Sequence, residues 1–173
     1  MNLGLDTAVV LAGGPSTRLK PFTNDLPKAM VRVCDKPLLQ WVIEWLKANG
    51  VVEIVLGVAY LKEKIMEYFG DGAKLGVDIR YSVHTSEGGT CEGFRLAIGR
   101  FVDRGVFFAV NGDQIVDLRL SELADFHVRN GSVATIVTTS LRCPCGQVQV
   151  DENHRIVEFV EKPSCFYMQC NAG

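Results

Sequence analysis

The sequence predicts an α/β fold: a largely parallel sheet covered by helices on both faces. Short β-branched apolar runs alternate with stretches of helical period, and two of those runs end in glycine-containing polar loops. The chain is also long enough, at 173 residues, to bury a substantial core as one domain. In sheets of this kind ligands gather at the carboxyl ends of the strands, which is where both informative loops fall.

The elements follow in order. Thr7 to Ala12 (TAVVLA) is an apolar run entering Gly13-Gly14-Pro15, which reads as a buried strand leading into a tight loop. Pro37 to Asn49 carries Leu38, Val42, Trp45 and Leu46 at helical spacing, with proline near its start and Gly50 just past its end. Val51 to Val58 is the next strand, Leu61 to Phe69 a helix, and Val77 to Val83 a strand. Cys91 to Phe101 reads as a helix, and Val106 to Val110 as a strand running into Asn111-Gly112-Asp113. Leu120 to Asn130 is expected helical and Ser132 to Thr139 extended, with a hairpin from Gln147–Val150 and Ile156–Val160. Trp41 and Trp45 share a helical face and are expected in the core.

Composition narrows the function classes. Apolar residues at 47% and charged residues at 22% are ordinary for a globular protein. A net charge of -2 speaks against a general nucleic-acid binder, which carries a basic excess. No apolar run reaches membrane-spanning length, and Met1 to Asp6 is too short and polar for a secretory signal. A cytoplasmic protein is expected, with no nucleic-acid or membrane partner. The six cysteines form no pair of C-x2-C units, so a structural zinc site is not expected and the thiols read as free. His84, His127 and His154 have no catalytic partner nearby in sequence and read as core or surface residues.

The first loop runs Leu11-Ala12-Gly13-Gly14-Pro15-Ser16-Thr17-Arg18-Leu19-Lys20-Pro21-Phe22-Thr23, with Leu26-Pro27-Lys28-Ala29-Met30 after it. Glycines let backbone approach a ligand and aim amides at phosphate oxygens, while Arg18 and Lys28 add two cations. By spacing alone, an ordinary strand-to-helix turn with exposed cations reads equally well. Neither a G-x-G-x-x-G fingerprint nor a G-K-[ST] ending is present.

The same stretch resembles the signature of the sugar-1-phosphate nucleotidyltransferases, roughly LAGG-x-GTRL-x-PLT, then PK-x-M, then KP. Here it stands as LAGGPSTRLKPFT, PKAM at Pro27 to Met30, and Lys36-Pro37. Four more segments match in order: Gly89-Thr90; Asn111-Gly112-Asp113 with Asp117; Phe159-Val160-Glu161-Lys162-Pro163; and Asn171-Ala172-Gly173. The resemblance implies a three-layer αβα, Rossmann-like nucleotidyltransferase fold with a mixed, mainly parallel sheet. Nucleotide would be held by the N-terminal half and sugar by the C-terminal half. By position, Leu11, Ala12, Gly13, Gly14, Ser16 and Thr17 bind nucleotide, with Gly89 and Thr90 on the base side. Arg18 engages the β- and γ-phosphates, Lys28 also serves the phosphates, and Asp113 holds Mg2+. Glu161, Lys162 and Asn171 line the sugar phosphate site, and Arg18, Lys28 and Lys162 are the expected catalytic residues. Asp117 reads better as a helix cap or turn residue.

Three features depart from the pattern. Ser16 stands where the family has glycine, and Glu92 where its base-side loop carries a small residue. The chain also stops at Gly173, where family members continue. A catalytic domain over residues 1–173 lacking its C-terminal part is therefore expected, with the second magnesium carboxylate in that continuation. Glu92 reads either as an acceptor for the N1 and N2 donors of guanine or as a glutamate placed by the helix dipole.

The implied reaction is Mg-dependent transfer of a nucleoside monophosphate from a nucleoside triphosphate to a sugar-1-phosphate. The segment from Val110 to His127 reads most like the mannose-1-phosphate guanylyltransferase branch. Glucose-1-phosphate uridylyl- and thymidylyltransferases stand close behind, and a non-catalytic, nucleotide-sugar-sensing homologue is the reading from another class. Homo-oligomerisation is left open.

Overall fold

The computed structural model describes residues 5–14, 17–85, 88–102, 105–142, 145–162 and 164–171. They form two compact units, Met1–Asn130 and Gly131–Gly173. No helix among the described residues is long and apolar enough to cross a membrane.

The first unit is built on four strands. These are β1 (Thr7–Leu11), β4 (Glu53–Val58), β5 (Asp78–Val83) and β6 (Phe108–Asn111), in the order β5-β4-β1-β6 with every neighbouring pair parallel. Between β1 and β4 the chain forms short 3-10 turns at Thr17–Leu19 and Lys28–Met30. A two-residue ribbon follows, β2 (Arg32–Val33) against β3 (Lys36–Pro37), and then helix α1 (Leu38–Ala48). Helices α2 (Lys62–Phe69), α3 (Gly89–Phe101) and α4 (Leu120–Asn130) complete the unit.

Alternation along the strands divides the apolar residues between two faces. Ala8 and Val10 of β1, with Ile54, Leu56 and Val58 of β4, pack against Leu39, Val42, Ile43 and Leu46 of α1. Ile65 of α2 and Leu120 and Ala124 of α4 join the same layer. Val9 and Val55 point the other way, onto Ala97 of α3, with Phe94, Ile98 and Phe101 around them. Helices on both faces of a parallel sheet make the three-layer αβα arrangement expected from the sequence.

The helix ends follow their sequence signals. Pro37 precedes the first turn of α1, and Gly50, at φ 88°, follows its cap residue Asn49. The tryptophans of α1 sit at the edge of the core. Trp45 packs against it and donates Nε1–H to the Leu118 carbonyl, whereas Trp41 donates to the Val33 carbonyl and lies 4.2 Å beneath the Lys36 ammonium.

In the second unit β7 (Thr138–Arg142) pairs antiparallel with β10 (Ser164–Asn171), and β8 (Gln147–Val150) with β9 (Ile156–Val160). The hairpin falls where expected. Its turn is held by the Asp151 carboxylate, which accepts from the Asn153 and Arg155 amides at 2.8 and 2.9 Å. The strand expected over Ser132 to Thr139 begins instead at Thr138, where the partner β10 begins to supply hydrogen bonds through Asn171.

Candidate functional site

Because β1, β4, β5 and β6 are parallel, their carboxyl ends share one edge of the sheet, and a pocket of about 320 Å³ opens there. Leu11 to Gly14, leaving β1, form one wall, Gly89 and Thr90 of α3 another, and Asn111 and Asp113 after β6 a third. Lys28 and Ala29, from the second 3-10 turn, and His84, directly after β5, complete the lining.

Backbone hydrogen bonds fix these walls. The Ala12 amide donates to the Gly57 carbonyl at 2.8 Å, and the Gly112 amide to the Leu11 carbonyl at 2.8 Å. The second bond ties the glycine loop directly to the turn that carries Asp113. A glycine favours it: a Cβ on Gly112 would come to 3.0 Å from that same carbonyl oxygen and 3.1 Å from Leu39 Cδ1, so these neighbours would have to give way. Gly89 is required for another reason, since its φ of 64° lies in the left-handed region at the start of α3.

The central polar contact joins residues 85 positions apart: Lys28 Nζ donates to Asp113 Oδ2 at 2.5 Å. Both side chains are about one-third exposed (36% and 34%), so the pair is open to ligand from solvent. Asn111 beside it donates Nδ2–H to Gln114 Oε1 at 3.0 Å, which steadies the turn. Among the described residues no three His, Cys, Asp or Glu side chains come together as a metal-binding group. Among the described residues Asp113 is the one carboxylate lining the pocket, and its hard oxygen suits an ion that takes one or two carboxylates plus substrate phosphates.

Of the residues singled out from sequence, Leu11, Ala12, Gly13, Gly14, Lys28, Gly89, Thr90 and Asp113 are brought together around this pocket. Thr17 and Arg18 lie in the exposed 3-10 turn and do not line it. Ser16 falls outside the described residues. Glu161 and Lys162 belong to the second unit, where both are solvent-exposed and form an ion pair at 3.8 Å. Asn171 ends β10 in that unit, paired with Thr138.

His84, read as a core or surface residue, is half-buried and borders the pocket. Its position immediately after a parallel strand was the available signal. Ala29 and Asn111 were likewise not singled out. Glu92 does not line the pocket: its carboxylate accepts from Thr85 Oγ1 at 3.1 Å and lies against Gly88, where an added Cβ would collide with it. That is a glutamate folded back over the N-terminus of its own helix, the arrangement the helix dipole favours.

The comparisons with known proteins agree with this geometry. Residues 7–170 match the family model described as nucleotidyl transferase. The chain is 34% identical over 175 residues to a UTP–glucose-1-phosphate uridylyltransferase of Synechocystis sp., covering 91% of this chain and 44% of that protein. It is 38% identical over 174 residues to a mannose-1-phosphate guanyltransferase of Hypocrea jecorina, covering 95% of this chain and 47% of that one. It thus spans about half the length of these relatives. Among solved structures, HddC from Yersinia pseudotuberculosis superposes with a TM-score of 0.71 at 24% identity, over 96% of this chain and 74% of that one. The same protein complexed with GMP-PN gives 0.67 at 24% identity, over 90% and 69%. With the parallel sheet, the pocket at its carboxyl edge and a family match over nearly the whole sequence, the chain belongs to the nucleotidyl transferase family.

Proposed function

We propose that the protein transfers a nucleoside monophosphate from a nucleoside triphosphate to a sugar-1-phosphate, releasing pyrophosphate and acting in the cytoplasm. The observation that carries this reading is the pocket whose walls are the Gly13-Gly14 backbone and the Lys28–Asp113 pair. It is supported by relatives named for uridylyl and guanylyl transfer to sugar-1-phosphates.

The reaction suits these residue types. A sugar phosphate is mostly ionised near neutral pH, its second pKa being about 6, so no general base is required. What remains is alignment and charge neutralisation. Backbone at Gly13 and Gly14 allows close approach of the nucleotide, and Gly89 and Thr90 stand on the base side. Lys28 and Arg18 neutralise the triphosphate, and Lys162, with Glu161 and Asn171, serves the sugar phosphate. Asp113 would hold Mg2+, which when bound adds positive charge beside the phosphates.

For the substrate pair we favour GTP with mannose 1-phosphate over UTP or deoxythymidine triphosphate with glucose 1-phosphate. Pyrophosphate release from each triphosphate mixed with each sugar phosphate and Mg2+ is the test. Release confined to one pair establishes both substrates. Nucleotide binding with no release from any pair replaces the enzyme with a nucleotide-sugar sensor.

A further inference from the structure

The His84 side chain lies in a socket where Gly13 and Gly93 lack a Cβ. Gly57 stands beside it at ordinary contact distance, and the Leu11 side chain shares the space next to Gly57 and Gly93. A Cβ on Gly13 would lie 2.8 Å from His84 Nε2 and 2.9 Å from Cε1. On Gly57 it would lie 3.6 Å from Cε1, and on Gly93 it would lie 3.3 Å from both Cε1 and Nε2. These glycines belong to three separate elements: the loop after β1, strand β4 and the second turn of α3. The His84 amide is itself fixed, donating to the Val58 carbonyl at 3.0 Å.

The strand order explains the reach. β5 and β1 are separated by β4, so a side chain from the end of β5 meets the β1 loop only by crossing β4. Gly57 alternates with Leu56 and Val58, which face the α1 side, and so puts no side chain of its own on the α3 side of β4. The Leu11 side chain lies there instead, 2.5 Å from the position a Cβ would take. The imidazole lies next to that Leu11 side chain, against Gly13 and Gly93. Its Nδ1 is buried and has no hydrogen-bond partner among the described residues, so the ring is held by shape.

We propose that His84 is a positioning residue, a wedge that sets the distance between the glycine loop and the start of α3. Those are the two walls that offer backbone to the nucleotide, so the inference rests on the nucleotide site proposed above. Removing the wedge lets both walls relax inward and costs alignment in the bound state, while the charged groups stay where they are.

The test is carried out on the full-length protein with His84→Ala, His84→Met, Gly13→Ala and the double variant Gly13→Ala/His84→Ala. Methionine reaches as far as the imidazole, packs adaptably and has no ring nitrogen. The His84→Ala variant is expected to raise KM for magnesium-bound GTP or UTP about tenfold, equivalent to about 1.4 kcal/mol, with little change in kcat. In the free protein it should speed amide exchange at Leu11–Gly14 and Gly89–Gly93 but not along β4. His84→Met should stay near wild type. Gly13→Ala should weaken nucleotide binding alone, and the double variant should lose less than the two single changes combined, because the new methyl enters the vacated space while its 3.0 Å approach to Ala59 Cβ remains.

Unchanged exchange in His84→Ala, or a methionine variant as impaired as alanine, overturns the wedge. Additive losses in the double variant do the same. A wild-type protein that binds no nucleotide overturns the site reading instead, and exchange in the free protein still decides the wedge.

Discussion

Arg18 and Lys28 sit on consecutive 3-10 turns, yet only Lys28 borders the pocket. Lys28 follows Pro27, and the amide of Val31 closes the turn on the Lys28 carbonyl, so the side chain leaves a fixed platform toward Asp113. Arg18 sits on a turn closed by a longer bond, the Lys20 amide to the Thr17 carbonyl at 3.4 Å, and is exposed. If it serves the triphosphate as proposed, it does so by folding over a bound nucleotide. Arg18→Ala is then expected to raise KM for the triphosphate and lower kcat/KM by the equivalent of about 2–4 kcal/mol. Wild-type kinetics in that variant would remove Arg18 from the site. His84 shows what sequence could not reveal at this scale. Its fit depends on the missing side chains at positions 13 and 93, and no local spacing announces a shared absence.

At the scale of elements, the order of strands and helices in the first unit was legible because its apolar periods match faces that are in fact buried. Leu120–Asn130 has the boundaries read from sequence. The Ser132–Thr139 strand was misplaced for a physical reason. Alternation identifies residues able to pair, but a strand exists only where a partner supplies hydrogen bonds, and among the described residues β10 pairs no further than Thr138. The join between the β2–β3 ribbon and α1 carries its own prediction. Lys36 donates to Glu44 Oε2 at 2.6 Å and Gln40 to Oε1 at 2.8 Å, and the lysine, then the glutamine, holds the Glu44 carboxyl below its ordinary range. A carboxyl lowered in the folded state stabilises above its ordinary pKa, and that contribution fades as pH falls through the folded value. Glu44→Gln should therefore cost under about 1 kcal/mol near neutrality, the pair being partly exposed. The difference from wild type should shrink below about pH 4. Urea unfolding of both proteins at two pH values checks it, and a pH-independent difference counts against the ion pair.

For the whole molecule, the buried apolar side chains among the described residues run from Ala8 to Ala124, all within the first unit. In the second, Val148, Val150, Ile156, Val157 and Phe159 are each about half exposed or more. A chain cut after Asn130 is expected to keep a cooperative thermal transition, because both sides of its sheet are already covered. The isolated segment 131–173 is expected to show none, since small antiparallel ribbons without a buried face are marginal in water. Calorimetry of the two pieces decides this, and a transition lost on truncation would mean that the second unit contributes to the first unit's core.

The pairing of β6 with β1 has a consequence in time. β1 leaves the ribosome well before its neighbour on one side, β6, which lies about a hundred residues later. For all of that interval one margin of β1 has its amides and carbonyls open to whatever extended segment comes near. Pairings between strands so distant in sequence are slow to form, and species that wait for them are prone to associate. The loop of Gly13 and Gly14 and the Lys28 ammonium are likewise synthesised long before Asp113, so the nascent chain carries a cation whose counter-charge has not yet been made.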